Sequence, residues 1–173
     1  MKISHFVLST ALVAFAGVAA AQQPAQPAQP ARPAPKPASA AQQQQLTPEQ
    51  RAQVARQDAE MSKAASRVVQ LVDGNKIPEV WDGASAVAKA VVTKDAFVAQ
   101  ITTDRRKLGA PTERKQVAVT RSAYGPGAQV PAGNYINVVY ATKFANAPQP
   151  VRELVSFHLD TDKTWRVSGY SLR

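Results

Sequence analysis

Apolar residues recur with two different spacings along the chain, and the first spacing is that of an α-helix. From residue 47 onward, apolar side chains recur every three or four positions, which is the spacing of one face of an α-helix. Residues 47–50 (TPEQ) place a capping threonine, a proline and a glutamine where a helix begins, and residues 73–75 (DGN) end the pattern. We predict two further helices, over residues 78–91 and 93–109.

The second period, which begins after residue 112, is that of β-strands. Apolar and polar residues alternate there, as in a strand that buries one face. Turn-forming segments separate four such runs, which cover residues 116–124, a long run after the turn at 131–134, residues 151–160 and residues 165–172. Three helices followed by four antiparallel strands predict an α+β domain, with the helices packed on one face of a curved four-stranded sheet.

The N-terminus has the composition of a secretory signal peptide. Lys2 supplies a positive charge, residues 6–18 form an apolar run, and small alanines at 19–21 precede a cleavage position between Ala21 and Gln22. The run is shorter than the roughly 20 residues that span a membrane, so a retained anchor is the weaker alternative. No cysteine follows the run, which excludes attachment of the lipoprotein type. We therefore predict a periplasmic or secreted protein.

Residues 22–46 consist almost entirely of proline, alanine and glutamine. Such a segment has too few large apolar side chains to offset the entropy lost on folding, so we predict a disordered linker. Its repeated Pro-x-x-Pro spacing is also a docking motif for aromatic grooves, but the composition favours a spacer. The predicted organisation is a signal peptide over residues 1–21, this linker, and a folded domain over residues 47–173.

Composition excludes several kinds of site. The chain has no cysteine and two histidines, of which only His158 lies outside the predicted signal peptide. Disulfides, thiol chemistry and histidine-cluster metal sites are therefore excluded, and we predict no metal and no cofactor. The formal net charge of +9 favours anionic partners. Because the basic residues are dispersed, with acids beside even the densest run at 105–107, the pattern disfavours nucleic acid and leaves an envelope protein or an anionic envelope polymer as candidate partners.

Glu153 is the most informative charged residue, because strand alternation places it among apolar residues that face the helices. A carboxylate there needs a cationic partner, or else its pKa rises toward that of a general base. Two interpretations follow: an ion pair with Arg114 or Arg121, or a catalytic base with Tyr140 as hydrogen-bond donor. The ion pair is favoured. His158 alternates onto the opposite side of its strand, so we predict that it faces solvent.

Three aromatic residues are candidates for the lining of a ligand pocket, namely Trp81, Tyr140 and Trp165. Aromatic residues in apolar stripes more often belong to the core, and we favour that interpretation. Asp82 either faces solvent or reaches the mouth of such a pocket. The sequence contains no Gly-rich phosphate loop and no GxSxG motif, so we predict no catalytic residue beyond the candidate Glu153.

Several spaced segments resemble a known bacterial family. They are LVDGNK (71–76), EVWDGAS (79–85), TDRRKLGA (103–110), GNY (133–135) and DKTWRVSGY (162–170). Together they resemble the family called domain of unknown function 4019. The closing Trp-Arg-Val-x-Gly-Tyr hairpin is also similar to nuclear-transport-factor-2-like domains, so the resemblance implies a cone of helices and curved sheet with a pocket. It implies no catalytic residues, because such folds serve enzymes, ligand binders and interaction modules alike.

From these features we predict an exported, non-catalytic domain that binds a small apolar ligand or a protein partner. Two alternatives stay open. One is a pocket enzyme of isomerase or hydrolase type with Glu153 as its base, and the other is a basic structural protein of the cell envelope. A deep pocket that holds Glu153 would favour the enzyme, whereas a salt-bridged Glu153 in a filled core would eliminate it.

Overall fold

The computed structural model describes residues 46–173. The predicted signal peptide over residues 1–21, its cleavage position at Ala21 and Gln22, and the predicted linker over residues 22–46 lie outside the described residues, apart from Leu46. Within the described range, no helix is both long enough and apolar enough to cross a membrane. This part of the chain is an α+β domain in which helices precede a four-stranded antiparallel sheet.

Four helices form the first half of the domain, where the sequence predicts three. They lie at Pro48–Asp73 (α1), Ile77–Asp82 (α2), Ala86–Val91 (α3) and Lys94–Leu108 (α4). The predicted start of α1 is confirmed by a capping box. Thr47 Oγ1 accepts a hydrogen bond from Gln50 N at 3.2 Å, and Gln50 Oε1 accepts one from Thr47 N at 2.8 Å.

Four strands form the second half and pair in chain order as an antiparallel meander. They lie at Pro111–Tyr124 (β1), Gly133–Phe144 (β2), Val151–Leu159 (β3) and Trp165–Leu172 (β4). β1 begins earlier than the predicted residue 116, because the charged Arg114 occupies an inward position and so hides the alternation there. Two register shifts interrupt the pairing of β1 with β2, one between Pro111 and Glu113 and one between Gln116 and Ala118.

The predicted single helix over residues 78–91 is wrong, because residues 83–85 divide it into α2 and α3. Ser85 N donates to Val167 O at 2.8 Å, and Ala84 forms a parallel bridge with Val167. Ser85 Oγ also accepts a hydrogen bond from Val87 N at 3.3 Å, which caps α3. The break thus serves a contact with the edge of β4, and the local apolar period carries no information about that contact.

The core lies between α1 and one face of the sheet, which we call the inner face. Its members include Met61, Ala65, Val68, Val69 and Val72 of α1, and Ile136, Val138, Val155 and Phe157 of β2 and β3. Val138 and Val155 are completely buried. The intervening strand positions lie on the outer face, where Ser156 Oγ donates to Asn137 Oδ1 at 2.7 Å. Burial of apolar area drives this packing, so the α1–sheet interface positions the side chains at both of its ends.

Candidate functional site

Each end of the α1–sheet interface borders a groove, and one of the two ends has the more apolar groove. We call it the open end. It lies where the first half of α1 passes over the ends of β1 and β3 and the starts of β2 and β4. The groove has a volume of about 440 Å³, and its lining includes Gln57 of α1, Arg121 and Ala123 of β1, Ile136 of β2, Leu159 of β3 and Trp165 of β4.

The floor of the open-end groove is apolar. Ile136 is almost completely buried, whereas Leu159 and Trp165 are only half-buried and keep part of their surface toward the groove. Partly exposed apolar side chains in a concavity gain free energy when a ligand removes them from water. The floor therefore suits an apolar ligand.

The rim of the groove is polar and only partly satisfied by the protein. Arg121 Nη2 donates to Gln57 Oε1 at 2.9 Å and to Asp58 Oδ1 at 2.7 Å, which holds the guanidinium against α1. Within residues 46–173, Arg121 Nη1, Gln57 Nε2 and the side-chain amide of Asn134 make no hydrogen bond that would occupy them. These donors are available to orient a bound molecule.

At the opposite end, which we call the clamped end, Glu153 is completely buried among hydrogen-bond donors. Its Oε2 accepts from Arg114 Nε and from Thr142 Oγ1, both at 2.6 Å. Its Oε1 accepts from Tyr170 OH at 2.5 Å and from Arg114 Nη2 at 3.2 Å. Strands β1, β2 and β4 thus each place one donor residue around the carboxylate that β3 supplies.

Asp73, the last residue of α1, extends the clamp to the helices. It accepts from Arg114 Nη1 at 2.8 Å and from Arg105 Nη2 of α4 at 2.8 Å. The Arg105 guanidinium also lies over the ring of Phe144, 4.7 Å from its centre. Burial lowers the pKa of Arg114, but its hydrogen bonds to Asp73 and Glu153 outweigh burial and raise that pKa above its ordinary value. The arginine stays charged in every accessible pH range.

The same contacts bear on the two interpretations of Glu153. A carboxylate offers about four lone-pair positions, and donors from Arg114, Thr142 and Tyr170 occupy four. No position is left for a substrate proton. Burial raises the pKa of the Tyr170 hydroxyl and the charge of Glu153 raises it further, so this hydroxyl stays protonated as a donor. The geometry favours the ion pair with Arg114 over the general base, and Arg121 lies at the other end of the interface.

The structure does not bring the three aromatic candidates together. Trp165 lines the open-end groove. Trp81 is 8% exposed and packs on Phe97 of α4, with 5.4 Å between ring centres. Tyr140 lies in the core, where burial raises its pKa. Its hydroxyl has no hydrogen bond of normal geometry in the described part of the chain, although Ser66 of α1 is near enough to lower that pKa.

The prediction that His158 faces solvent is wrong, because this residue is only 6% exposed. The edge of its ring meets Tyr135 at 4.9 Å between centres, and its Nε2 lies directly against Gly133. Its Nδ1 lies 2.8 Å from Asp160 Oδ1 and 3.4 Å from Ser85 Oγ. Although the outer face is polar in sequence, the start of β2 and the α2–α3 connection cover this part of it.

Ser85, His158 and Asp160 have the composition of a hydrolytic triad but not its arrangement. A triad needs the hydroxyl at one ring nitrogen and the carboxylate at the other. Here Ser85 and Asp160 share Nδ1 and bond to each other, while Nε2 has no partner within the described residues. Burial raises the pKa of Asp160, but hydrogen bonds from Ser85, His158 and Arg166 outweigh it and lower that pKa below its ordinary value. The cluster therefore joins elements and lacks an activated nucleophile.

Asp82 is exposed and forms a salt bridge with Lys94 Nζ at 2.6 Å, and it does not line the groove. Among residues 46–173, no three histidine or acidic side chains are grouped so that they could hold a metal ion. Sequence reasoning missed Gln57, Arg121 and Asn134 as groove residues. The sequence does contain a sign of one of them, because Gln57 is a polar residue on the side of α1 that otherwise carries the apolar stripe.

One known protein family has a model that matches this chain. The model of a family described as "Protein of unknown function (DUF4019)" matches residues 64–170, which is more than half of the 173-residue chain. The chain therefore belongs to this family. No curated protein matches it. The matched region includes the clamped end and the strand residues of the open-end groove, and it begins after Gln57 and Asp58.

Proposed function

We propose that this member of the DUF4019 family is an exported, non-catalytic binding protein whose open-end groove takes a small apolar ligand. The observation that carries the proposal is the contrast between the groove's floor and rim. Trp165 and Leu159 remain partly uncovered in a concavity of about 440 Å³, and free donors of Arg121, Gln57 and Asn134 surround them. Small-molecule sites have this volume and this division between an apolar lining and a few polar groups.

The arrangement of helix and sheet supports the proposed fold, and the N-terminal sequence supports the proposed location. A long helix across the inner face of a four-stranded meander is the arrangement expected of a nuclear-transport-factor-2-like cone, and the open end corresponds to its mouth. Export is supported by Lys2, the apolar run at 6–18 and the alanines at 19–21. Mass spectrometry of the protein from a periplasmic fraction should find Gln22 as the N-terminal residue, and an intact Met1 there would contradict export.

Ligand binding can be measured with Trp165 as the reporter. The chain has two tryptophans, and Trp81→Phe leaves Trp165 as the only one. The neutral apolar dye N-phenyl-1-naphthylamine should quench Trp165 emission and raise the melting temperature, because a ligand that binds only the folded state stabilises it. A screen of fatty acids, quinones and sterols against the same signal would then narrow the ligand class.

A groove-filling variant and a matched control make the test specific. Ala123→Phe places a ring in the groove from β1, whereas Thr120→Phe places the same ring at an exposed position of the outer face of the same strand. We expect Ala123→Phe to abolish dye binding and Thr120→Phe to retain it. Unchanged binding by a folded Ala123→Phe protein would refute the groove as the ligand site.

A further inference from the structure

A row of basic side chains crosses the outer face of the sheet near the clamped end. Lys115 of β1 pairs with Ala141 of β2, and Ala141 pairs with Arg152 of β3. Arg173 continues the row, because Arg152 N donates to Arg173 O at 2.7 Å and Arg173 N donates to Arg152 O at 2.9 Å. Directly paired residues of antiparallel strands project from the same face. That face is the outer one, since the neighbouring Arg114 projects inward to Glu153.

The three cations of this row are free to bind a ligand. Lys115, Arg152 and Arg173 are all exposed, and within the described residues none of them forms a salt bridge. Glu113, an acid on the same face of β1 as Lys115, is paired with Lys143 at 2.6 Å. Lys115 also interacts with the charge of Glu113, which Lys143 shares, so the row keeps a net positive charge although the basic residues look dispersed along the sequence.

We propose that this basic row binds a linear anionic polymer that lies across the strands. Neighbouring strands are about 4.8 Å apart, so Arg152 and Arg173 lie about 5 Å apart and Lys115 about 10 Å from Arg152. Phosphate or carboxylate groups repeated along a flexible chain match such a series. Each arginine presents a fork of donors that fits either group.

Neighbouring residues on the outer face disfavour other occupants. The adjacent row contains Ala118, Val139 and Leu154, of which Val139 is buried and the other two are half-covered. Val117 is the one large apolar side chain that stays exposed beside these rows, and a single valine offers too little area to enter a bilayer as interfacial membrane binding requires. No aromatic ring is present in these two rows to stack on bases, as single-stranded nucleic acid requires. Charge is the main feature that this row offers to a ligand, and the site is independent of the open-end groove.

The experiment compares two variants with the same change in net charge. Lys115→Gln/Arg152→Gln/Arg173→Gln removes the row, and Arg51→Gln/Lys63→Gln/Arg67→Gln removes three exposed charges from α1 that likewise form no salt bridge in the described range. Binding to sodium polyphosphate and to polygalacturonate is measured at low salt, which covers both kinds of anion. We expect the row variant to lose about tenfold in affinity, because three exposed charge contacts disappear together, and the α1 variant to stay near the wild type.

Two further measurements test the proposal, namely the dependence of affinity on salt concentration and the binding of the protein to lipid vesicles. The logarithm of the wild-type affinity should fall against the logarithm of salt concentration with a slope of about −2, as three released counterions require, and the row variant should have a shallower slope. Equal losses in both variants would assign binding to net charge and overturn the proposal. Failure to bind either polymer would overturn it too, as would binding to phosphatidylglycerol vesicles without binding to the polymers.

Discussion

One helix lies on one sheet, yet the two ends of their interface are built differently. Gln57 at the open end and Asp73 at the clamped end are 16 residues apart on α1, or about 24 Å. At the clamped end, a network of opposite charges runs from the buried Glu153 through the partly buried Arg114 to Asp73 at the surface. At the open end, partly exposed apolar side chains and free donors remain.

The comparison shows that burial and charge alone do not mark a binding site. Glu153 is the most deeply buried charged side chain of the domain's described part, but its lone pairs are all occupied by the protein itself. At the open end, by contrast, hydrogen-bond donors and apolar surface are left unoccupied by the protein. A site for a ligand is found where polar groups lack protein partners and apolar surface lacks cover. Four substitutions test this contrast, in order of decreasing expected effect on stability.

Glu153→Gln should cause the largest loss. It leaves Arg114 with one acidic partner in place of two. It also replaces one of the two acceptor oxygens that face Arg114, Thr142 and Tyr170 with an NH2 group, which donates. Breaking a buried ion pair in this way costs about 3–5 kcal/mol in the free energy of unfolding, measured by urea denaturation. The matched control is Glu113→Gln, which breaks the exposed pair with Lys143 and should cost less than about 1 kcal/mol. Similar losses in the two variants would mean that the clamp contributes no more than a surface pair.

Gly133→Ala should destabilise the start of β2 at the open end by about 1–3 kcal/mol. The residue has φ of 145°, which favours glycine, and an added Cβ would overlap His158 Nε2. Gly125→Ala is the control, since an added Cβ there meets no atom within 4 Å. Thermal melting of both variants provides the measurement. If Gly133→Ala melts like Gly125→Ala, the His158 imidazole does not restrict the side chain at position 133.

Thr47→Ala should cost about 1 kcal/mol, because it removes the side-chain oxygen that caps α1. The first turns of α1 are exposed and pack only on the groove side, so the effect should be local. We expect faster amide hydrogen exchange over the first two turns and little change near Asp73. Uniform loss of protection along the whole helix would show that the two ends are more tightly coupled than their contacts indicate.

Asp58→Asn should have the smallest effect on stability, about 0.2–1 kcal/mol, because its pair with Arg121 is partly exposed. The substitution leaves the Arg121 guanidinium without its acid at the rim of the groove. Binding of the anionic dye 8-anilinonaphthalene-1-sulfonate should therefore strengthen relative to that of neutral N-phenyl-1-naphthylamine. An unchanged ratio between the two dyes would place Arg121 outside the reach of a bound ligand.

Local patterns in the sequence were enough to predict much of the fold. The capping residues Thr47 and Gln50 define the start of α1, and alternation identifies β2, β3 and β4. These features depend on neighbours within a few positions, which is the range over which periodicity and capping act.

The features that the sequence did not predict depend on distant residues. The break at residues 83–85 exists because Ser85 N reaches Val167, and His158 is buried because Gly133 and Ser85 cover it. The open-end groove is likewise formed by five separate elements. Glu153 could be singled out because a lone carboxylate in an apolar file is a conflict within one strand, whereas the groove produces no such conflict.

The register shift between Gln116 and Ala118 of β1 has a consequence for the behaviour of the protein in solution. β1 is a 14-residue edge strand, and such an edge can recruit strands from other molecules. Val117, which is skipped in the pairing with β2 and is 54% exposed, interrupts the regular row of backbone groups at its middle. A second chain therefore meets two short, offset segments in place of one continuous template. The irregularity protects the domain against edge-to-edge aggregation while the paired side of β1 still supports the groove and the clamp.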